Sequence, residues 1–133
     1  MATGEYRIIV AVDLDVTRAS MQARRCAMAQ GFNATTTALL VTTVSELGTN
    51  ILKYAARGEI TIQAIEEGEK KGILIRALDH GPGIANIKAA MQDHHSTGGT
   101  LGLGLPGVKR MMDEFDIHSE LKRGTSVTVK KWK

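Results

Sequence analysis

The sequence predicts an α+β two-layer sandwich, a largely antiparallel mixed sheet with helices on one face. Two helical apolar periodicities follow a first β-branched run, so helices and strands are segregated along the chain. The later strand-like segments come in pairs joined by short turns, which favours hairpins and antiparallel pairing. The composition supports one core: 43% of the 133 residues are hydrophobic and 23% charged, so residues 1–133 are expected to form a single domain. Aromatic residues make up only 4%, leaving aliphatic side chains, Ala and Met to fill the interior.

Residues 6–12, YRIIVAV, are apolar and β-branched and read as the first strand. Asp13 or Asp15 then caps a helix running to about residue 30, with Gly31 as its stop. Val16, Ala19, Ala23 and Ala27 fall on one face of that helix. Asn33 caps a second helix to about residue 56, whose buried stripe is Leu40, Val44, Leu47 and Ile51, and Gly58 ends it. Ile60, Ile62 and Ala64 alternate with polar residues as a half-buried strand, and the run GEKKG turns the chain into a partner strand at 73–78. A short helix is expected at 84–91 and a flexible loop at 92–104. A further helix follows, carrying Leu105, Val108, Met112 and Phe115 on one side. Strands at about 116–121 and 125–132, joined by a turn at 122–124, complete the chain.

Charge and cysteine content narrow the function classes. The net charge of +3 permits nucleic-acid binding, but no aromatic residues interleave the basic ones to stack bases, and a basic balance suits an anionic ligand equally well. The reading is therefore no nucleic acid. The single cysteine, Cys26, excludes an internal disulfide and a cysteine-rich zinc site and fits a reducing compartment. No signal peptide and no run near the ~20 apolar residues of a membrane helix is evident, so the expected location is cytoplasmic, without membrane contact. His94 and His95 are adjacent, but a metal site would need further ligands and no cysteine partners them, and Met111 and Met112 read as packing residues.

Four constellations carry chemistry. On the second helix, Asn50 lies about 40° to one side of Glu46 on the helical wheel and Lys53 about 20° to the other, so the three make one polar stripe. That stripe also reads as a plain solvated face. Asp79-His80-Gly81-Pro82-Gly83 follows a strand directly; the glycines allow a tight turn and Asp79 can accept a hydrogen bond from an exocyclic amine, although an ordinary Asp/Gly/Pro turn has the same composition. Gly98-Gly99-Thr100-Leu101-Gly102-Leu103-Gly104 runs into a helix with Pro106 near its first turn, which exposes backbone N–H groups at the positive end of the helix dipole and suits phosphate. No Gly-Lys pair occurs in the chain, so this is not a Walker A loop. Gly124-Thr125-Ser126 sits between the last two strands and by itself is a common hairpin turn.

In this order the four motifs resemble the GHKL superfamily, whose ATP site is of the Bergerat type, and the resemblance spans nearly the whole chain. SELGTNILKYA, DHGPGI and GLGLPGVKRMMDEF look like the switch kinases of the bacterial stressosome, relatives of the anti-sigma factor kinases. The resemblance implies ATP and Mg²⁺ as cofactors. It implies that Asp79 binds the adenine amine, that Gly81 and Gly83 shape the base pocket, and that Asn50 is the metal ligand. By the same resemblance Lys53 faces phosphate, Tyr54 lies near the base, Gly102 and Gly104 let the loop of Gly98–Gly104 close over the phosphates, and Thr125 assists adenine recognition.

Glu46 separates subfamilies, because a hydroxyl or water nucleophile gains from a general base more than an imidazole acceptor does. A Glu on the helical face of the metal ligand therefore points to a serine/threonine kinase or an ATPase. The length leaves no room for the transducer or dimerisation domains of the ATPases, nor for the phosphoacceptor hairpin of a histidine kinase. The implied function is a serine/threonine kinase acting on STAS-domain proteins of the stressosome and switching partners to regulate a protein phosphatase. The alternatives are an anti-sigma factor with kinase activity that binds a sigma factor directly, or a binding module controlled by ATP.

Overall fold

The computed structural model describes residues 4–84, 90–91 and 104–133. The expected helix at 84–91 and loop at 92–104, with His94 and His95, fall almost wholly outside them. The elements run β1 (Glu5–Val10), α1 (Asp13–Ala29), α2 (Ala34–Ala55), β2 (Gly58–Glu67), β3 (Lys70–Asp79), α3 (Gly104–Met111), β4 (Glu114–Glu120) and β5 (Gly124–Trp132). The sheet order is β1-β2-β3-β5-β4, and every one of its four pairings is antiparallel.

Local chemistry explains most boundaries. Asn33 Oδ1 accepts the Thr36 N–H at 2.8 Å, the capping contact anticipated for α2. Gly31, at φ +84°, closes α1 as a left-handed stop, with the Phe32 N–H donating back to the Ala27 carbonyl. Three expectations need correction. The residue capping α1 is Val12, and Asp15 acts from inside the first turn, its Oδ2 accepting the Ala11 and Val12 N–H groups at 2.9 and 3.1 Å. These two bonds hold the Asp15 carboxyl below its ordinary pKa. The stop of α2 is Ala56, held at φ +67°, and Gly58 instead opens β2. Phe115 belongs to β4 opposite Val129, because Asp113 ends the helix: its N–H donates to the Lys130 carbonyl and its Oδ2 accepts the Trp132 N–H at 2.7 Å.

One face of the sheet carries Val10, Ile60, Ile62, Ile73, Ile75, Ala77, Val127 and Val129 into the core, opposite Val16, Ala19, Ala23 and Ala27 of α1 and Leu40, Val44, Leu47 and Ile51 of α2. Both helical stripes match those read from the sequence. At Gly48 a Cβ would lie 2.9 Å from a Val16 methyl, so this glycine sets how closely α1 and α2 approach. On the sheet side α2 packs mainly on β3 and β2. Among the described residues no helix is long and apolar enough to cross a membrane.

Candidate functional site

A cavity of about 310 Å³ opens where four elements meet: the C-terminal half of α2, the end of β3 with the loop after it, the N-terminus of α3, and the start of β5. Its walls bring together Asn50, Lys53 and Tyr54 from α2, Asp79 and Gly83 from the second motif, Gly104 at the start of α3, and Thr125. The lining is mainly apolar, with Leu47, Ile51, Ala77, Ile84, Leu105 and Val127 forming its hydrophobic part. A concave apolar site with a few convergent polar groups suits a small ligand with a flat apolar body.

Register explains how the polar groups meet. Asp79 is the last residue of β3 and lies opposite Thr125 of β5. Asp79 Oδ1 accepts the Gly81 N–H at 2.9 Å and the Thr125 N–H at 3.3 Å. Those two bonds fix the carboxylate, and its Oδ2 has no hydrogen bond among the described residues. One oxygen is thus held by the protein, and the other keeps its acceptor capacity among the described residues.

The glycines are sites of close approach. A Cβ on Gly81 would lie 2.6 Å from the Ala55 Cβ at the end of α2. Gly83 has φ +79°, and a Cβ there would lie 2.2 Å from the Glu120 carbonyl oxygen. Gly124 has φ +121°, and its Cβ would lie 2.0 Å from the Asp79 carbonyl oxygen. The DHGPG loop is therefore wedged between the end of α2 and the β4–β5 turn, with backbone against backbone, which only glycine permits. The Lys122 N–H closes the wedge by donating to the Pro82 carbonyl at 2.7 Å.

Sequence reasoning missed Ser119. Its Oγ accepts the Ile84 N–H at 2.7 Å, donates to the Gly124 carbonyl at 3.1 Å, and lies 2.9 Å from Thr125 Oγ1. One hydroxyl on β4 thus ties the end of the DHGPGI loop to the GT turn. A serine in a strand of alternating exposure carries no sequence signal; only the register of β4 with β5, which sets Ser119 opposite Thr125, reveals it.

The α2 stripe grades from a buried Glu46 through a half-buried Asn50 to an exposed Lys53, so the solvated-face reading fails at Glu46. Glu46 is 7% exposed, its Oε2 is buried, and that oxygen has no hydrogen bond among the described residues. Burying a carboxylate oxygen without a hydrogen bond is costly; the Thr37 and Thr43 hydroxyls of the same helix are also buried without a partner among the described residues. Glu46 does not itself line the cavity formed by the described residues; it lies one helical turn before Asn50, which does. Asn50 is half-buried, while Lys53 and Tyr54 are exposed at the rim, the Lys53 Nζ 5.3 Å from the Tyr54 ring centre. Gly98, Gly99, Thr100, Leu101, Gly102 and Leu103 lie outside the described residues. Gly104 is described, and it brings the α3 N-terminus to the cavity, with Pro106 in the first turn where no N–H is required.

The donor set bears on a metal ion. Among the described residues no three His, Cys, Asp or Glu side chains come together to hold one. Asn50 offers a single amide oxygen. That fits Mg²⁺, which binds through few protein ligands and completes its octahedron with phosphate oxygens and water.

Comparison with known proteins identifies the family. Residues 10–131 match the family model described as histidine kinase-like ATPase domain. The serine/threonine-protein kinase RsbT of Bacillus subtilis is 42% identical over 123 residues, which cover 92% of each chain. The anti-sigma F factor of Anoxybacillus flavithermus is 36% identical over 93 residues, covering 65% of this chain and 62% of that one. In fold, the chain resembles the histidine kinase domain of the Erythrobacter litoralis EL346 blue-light activated histidine kinase, with a TM-score of 0.50 at 18% identity over 90% of this chain and 59% of that one. The chain belongs to the histidine kinase-like ATPase domain family and, within it, to the family of the serine/threonine-protein kinase RsbT.

Proposed function

We propose that this chain transfers the γ-phosphate of ATP to a serine or threonine of STAS-domain regulatory proteins in the cytoplasm, and that release from those substrates lets it engage a protein phosphatase. As a member of its family it is an ATP-dependent protein serine/threonine kinase. The finer reading, substrate and phosphatase included, rests on the resemblance of SELGTNILKYA, DHGPGI and GLGLPGVKRMMDEF to the stressosome switch kinases. The observation that carries the nucleotide site is the Asp79 clamp, one carboxylate oxygen pinned by two backbone N–H groups beside an apolar cavity.

In this reading the adenine amine donates to Asp79 Oδ2 while Thr125 lies beside the base, and the apolar walls accept its faces. The phosphates extend towards the N-terminus of α3, where backbone N–H groups and the helix dipole favour negative charge. Lys53 faces the phosphates and Tyr54 borders the base, while the glycine-rich run from Gly98 to Gly104 covers the phosphates. Asn50 would hold Mg²⁺, which when bound neutralises phosphate charge. The substrate hydroxyl loses its proton to Glu46 as its oxygen bonds to the γ-phosphorus, and the bond from that phosphorus to the β–γ bridging oxygen breaks to release ADP. Burial of Glu46 without a described partner supports its role as proton acceptor.

The test is single-turnover phosphotransfer at saturating ATP. Glu46→Gln preserves shape but removes the proton acceptor, so nucleotide affinity is expected to persist while transfer falls about 10²–10⁴-fold. A variant within a few fold of the wild type removes Glu46 from the chemistry.

A second reading, direct sigma-factor binding, draws support from the anti-sigma F factors of Anoxybacillus and Thermoanaerobacter at 36% and 35% identity. Capture from native lysate with a non-hydrolysable ATP analogue separates the two. STAS-domain proteins favour the first reading and a sigma factor the second.

A further inference from the structure

The outer face of α1 carries a pattern unconnected with the nucleotide site. Leu14, Arg18, Met21, Arg25 and Met28 follow one another at spacings of four, three, four and three residues. On a helical wheel they share a sector of about 80°, opposite the buried Val16, Ala19, Ala23 and Ala27. This is the spacing of a coiled-coil seam, here presented to solvent. Leu14, Met21 and Met28 are each more than half exposed. Among the described residues, six of the eight exposed large hydrophobic side chains fall between Tyr6 and Met28, so exposed apolar area concentrates on β1 and α1.

Charge identifies the occupant. Among the described residues neither Arg18 nor Arg25 has a salt bridge. No carboxylate lies in the seam; the neighbouring Asp15, whose Oδ2 accepts the Ala11 and Val12 N–H groups, interacts with Arg18 only through its charge, and Arg25 donates to the neutral Gln22 Oε1 at 3.5 Å, so neither guanidinium has a carboxylate hydrogen-bonded to it among the described residues. Beside the seam a groove of about 340 Å³ is lined by Tyr6, Ile9, Met21, Arg18 and Arg25, with Asp15 as its single carboxylate, so two cations stand against one anion there.

We infer that the outer face of α1 is a docking surface for an amphipathic helix of a partner protein, one that presents apolar residues to Leu14, Met21 and Met28 and carboxylates to Arg18 and Arg25. Three neighbours of the same chemistry fit less well. A second copy paired about Met21 would set arginine against arginine. A lipid surface requires cations and apolar groups on separate faces, whereas here they alternate within one stripe, so burying the methionines would bury the guanidinium groups. Nucleic acid would gain nothing from three apolar side chains along its backbone contacts. A helix with alternating apolar and acidic seam positions satisfies both sets at once, as charged pairs beside an apolar seam do in coiled coils.

The experiment uses two labelled synthetic helices about three heptads long. One has Leu and Glu alternating at its seam positions; its twin has Lys in place of Glu. Fluorescence anisotropy is read with the full chain, with the double variant Arg18→Glu, Arg25→Glu, and with Met21→Glu. The expected pattern is an exchange of preference. The wild type binds the Glu helix at least tenfold more tightly than the Lys helix, the double variant reverses that order, and Met21→Glu weakens both. These side chains are exposed, so thermal unfolding and ATP affinity are expected to stay at wild-type values, and Arg18→Ala, Arg25→Ala repeats the loss should the reversal fail to fold. Equal or absent binding of the two helices by the wild type overturns the inference. So does a dimer of the chain alone that Met21→Glu dissociates, which assigns the face to a second copy. Binding to phosphatidylserine vesicles that the double variant abolishes overturns it in favour of a lipid surface.

Discussion

Replacing Ser119 by alanine tests whether the two halves of the nucleotide pocket are joined through one hydroxyl. In the wild type the Ser119 Oγ accepts from Ile84 N–H at 2.7 Å and contacts the Gly124 carbonyl and Thr125 Oγ1 at 3.1 and 2.9 Å. Serine can accept two hydrogen bonds and donate one, so all three contacts are satisfied together when its proton goes to Gly124 and the Thr125 proton comes to it. Alanine removes the three at once. Each is worth about 0.5–1.5 kcal/mol, and water restores part of the loss because the site is only half-buried, leaving a net cost of about 1–3 kcal/mol. Some of that cost lowers overall stability. The rest is the ordering of the DHGPGI loop, which ligand binding must then supply, so the dissociation constant for ATP is expected to rise about tenfold, equivalent to about 1.4 kcal/mol. Ser119→Thr keeps the hydroxyl and should remain within about twofold of the wild type. Calorimetric titration of ATP into both variants, with thermal unfolding alongside, provides the measurement. A Ser119→Ala protein with lowered unfolding temperature and unchanged ATP affinity would refute the coupling and leave Ser119 a purely structural residue.

Asp79→Asn keeps an oxygen and replaces a charged acceptor with a weaker neutral one, so affinity for ATP should fall at least tenfold. The wild type should also bind GTP poorly, since guanine has a carbonyl where adenine has its amine, and equal calorimetric affinities would contradict the assigned pocket. Gly83→Ala forces a Cβ to within 2.2 Å of the Glu120 carbonyl at φ +79°; the left-handed conformation alone costs about 1–2 kcal/mol, and denaturant unfolding should show at least that loss. Asp15→Asn removes the carboxylate that receives the Ala11 and Val12 N–H groups. The Asp15 pKa is depressed in the folded state from its ordinary 3.8, so its contribution is fully present above that value and is lost as pH falls through the folded pKa. The stability difference between wild type and Asp15→Asn should therefore be constant near neutrality and shrink in acid, and a difference independent of pH would count against the capping role.

The order of the described elements, both helical core stripes, the Asn33 cap and the Gly31 stop were legible in the sequence, because each depends on residues within one or two turns of one another. The motifs Glu46 to Tyr54, Asp79 to Gly83 and Gly124-Thr125 were legible as residue types in a particular order. Their meeting at one cavity was implied only by the family resemblance and not by the residues themselves, because it depends on strand register: Asp79 and Thr125 are 46 residues apart and become neighbours only when β3 pairs with β5. Local periodicity also misplaced Phe115, since strand pairing through Asp113 and Lys130 outweighed a continuing helical stripe. It left Glu46 open between a solvated face and a buried site, and packing of α2 decided for burial. Ser119 was invisible to sequence reasoning because an isolated serine acquires a role only from the partners that folding sets around it. Hydrophobic period and capping act over a few residues and so are written in the chain locally. Hydrogen bonds between strands, and the backbone contacts at Gly83 and Gly124, exist only once the sheet has closed.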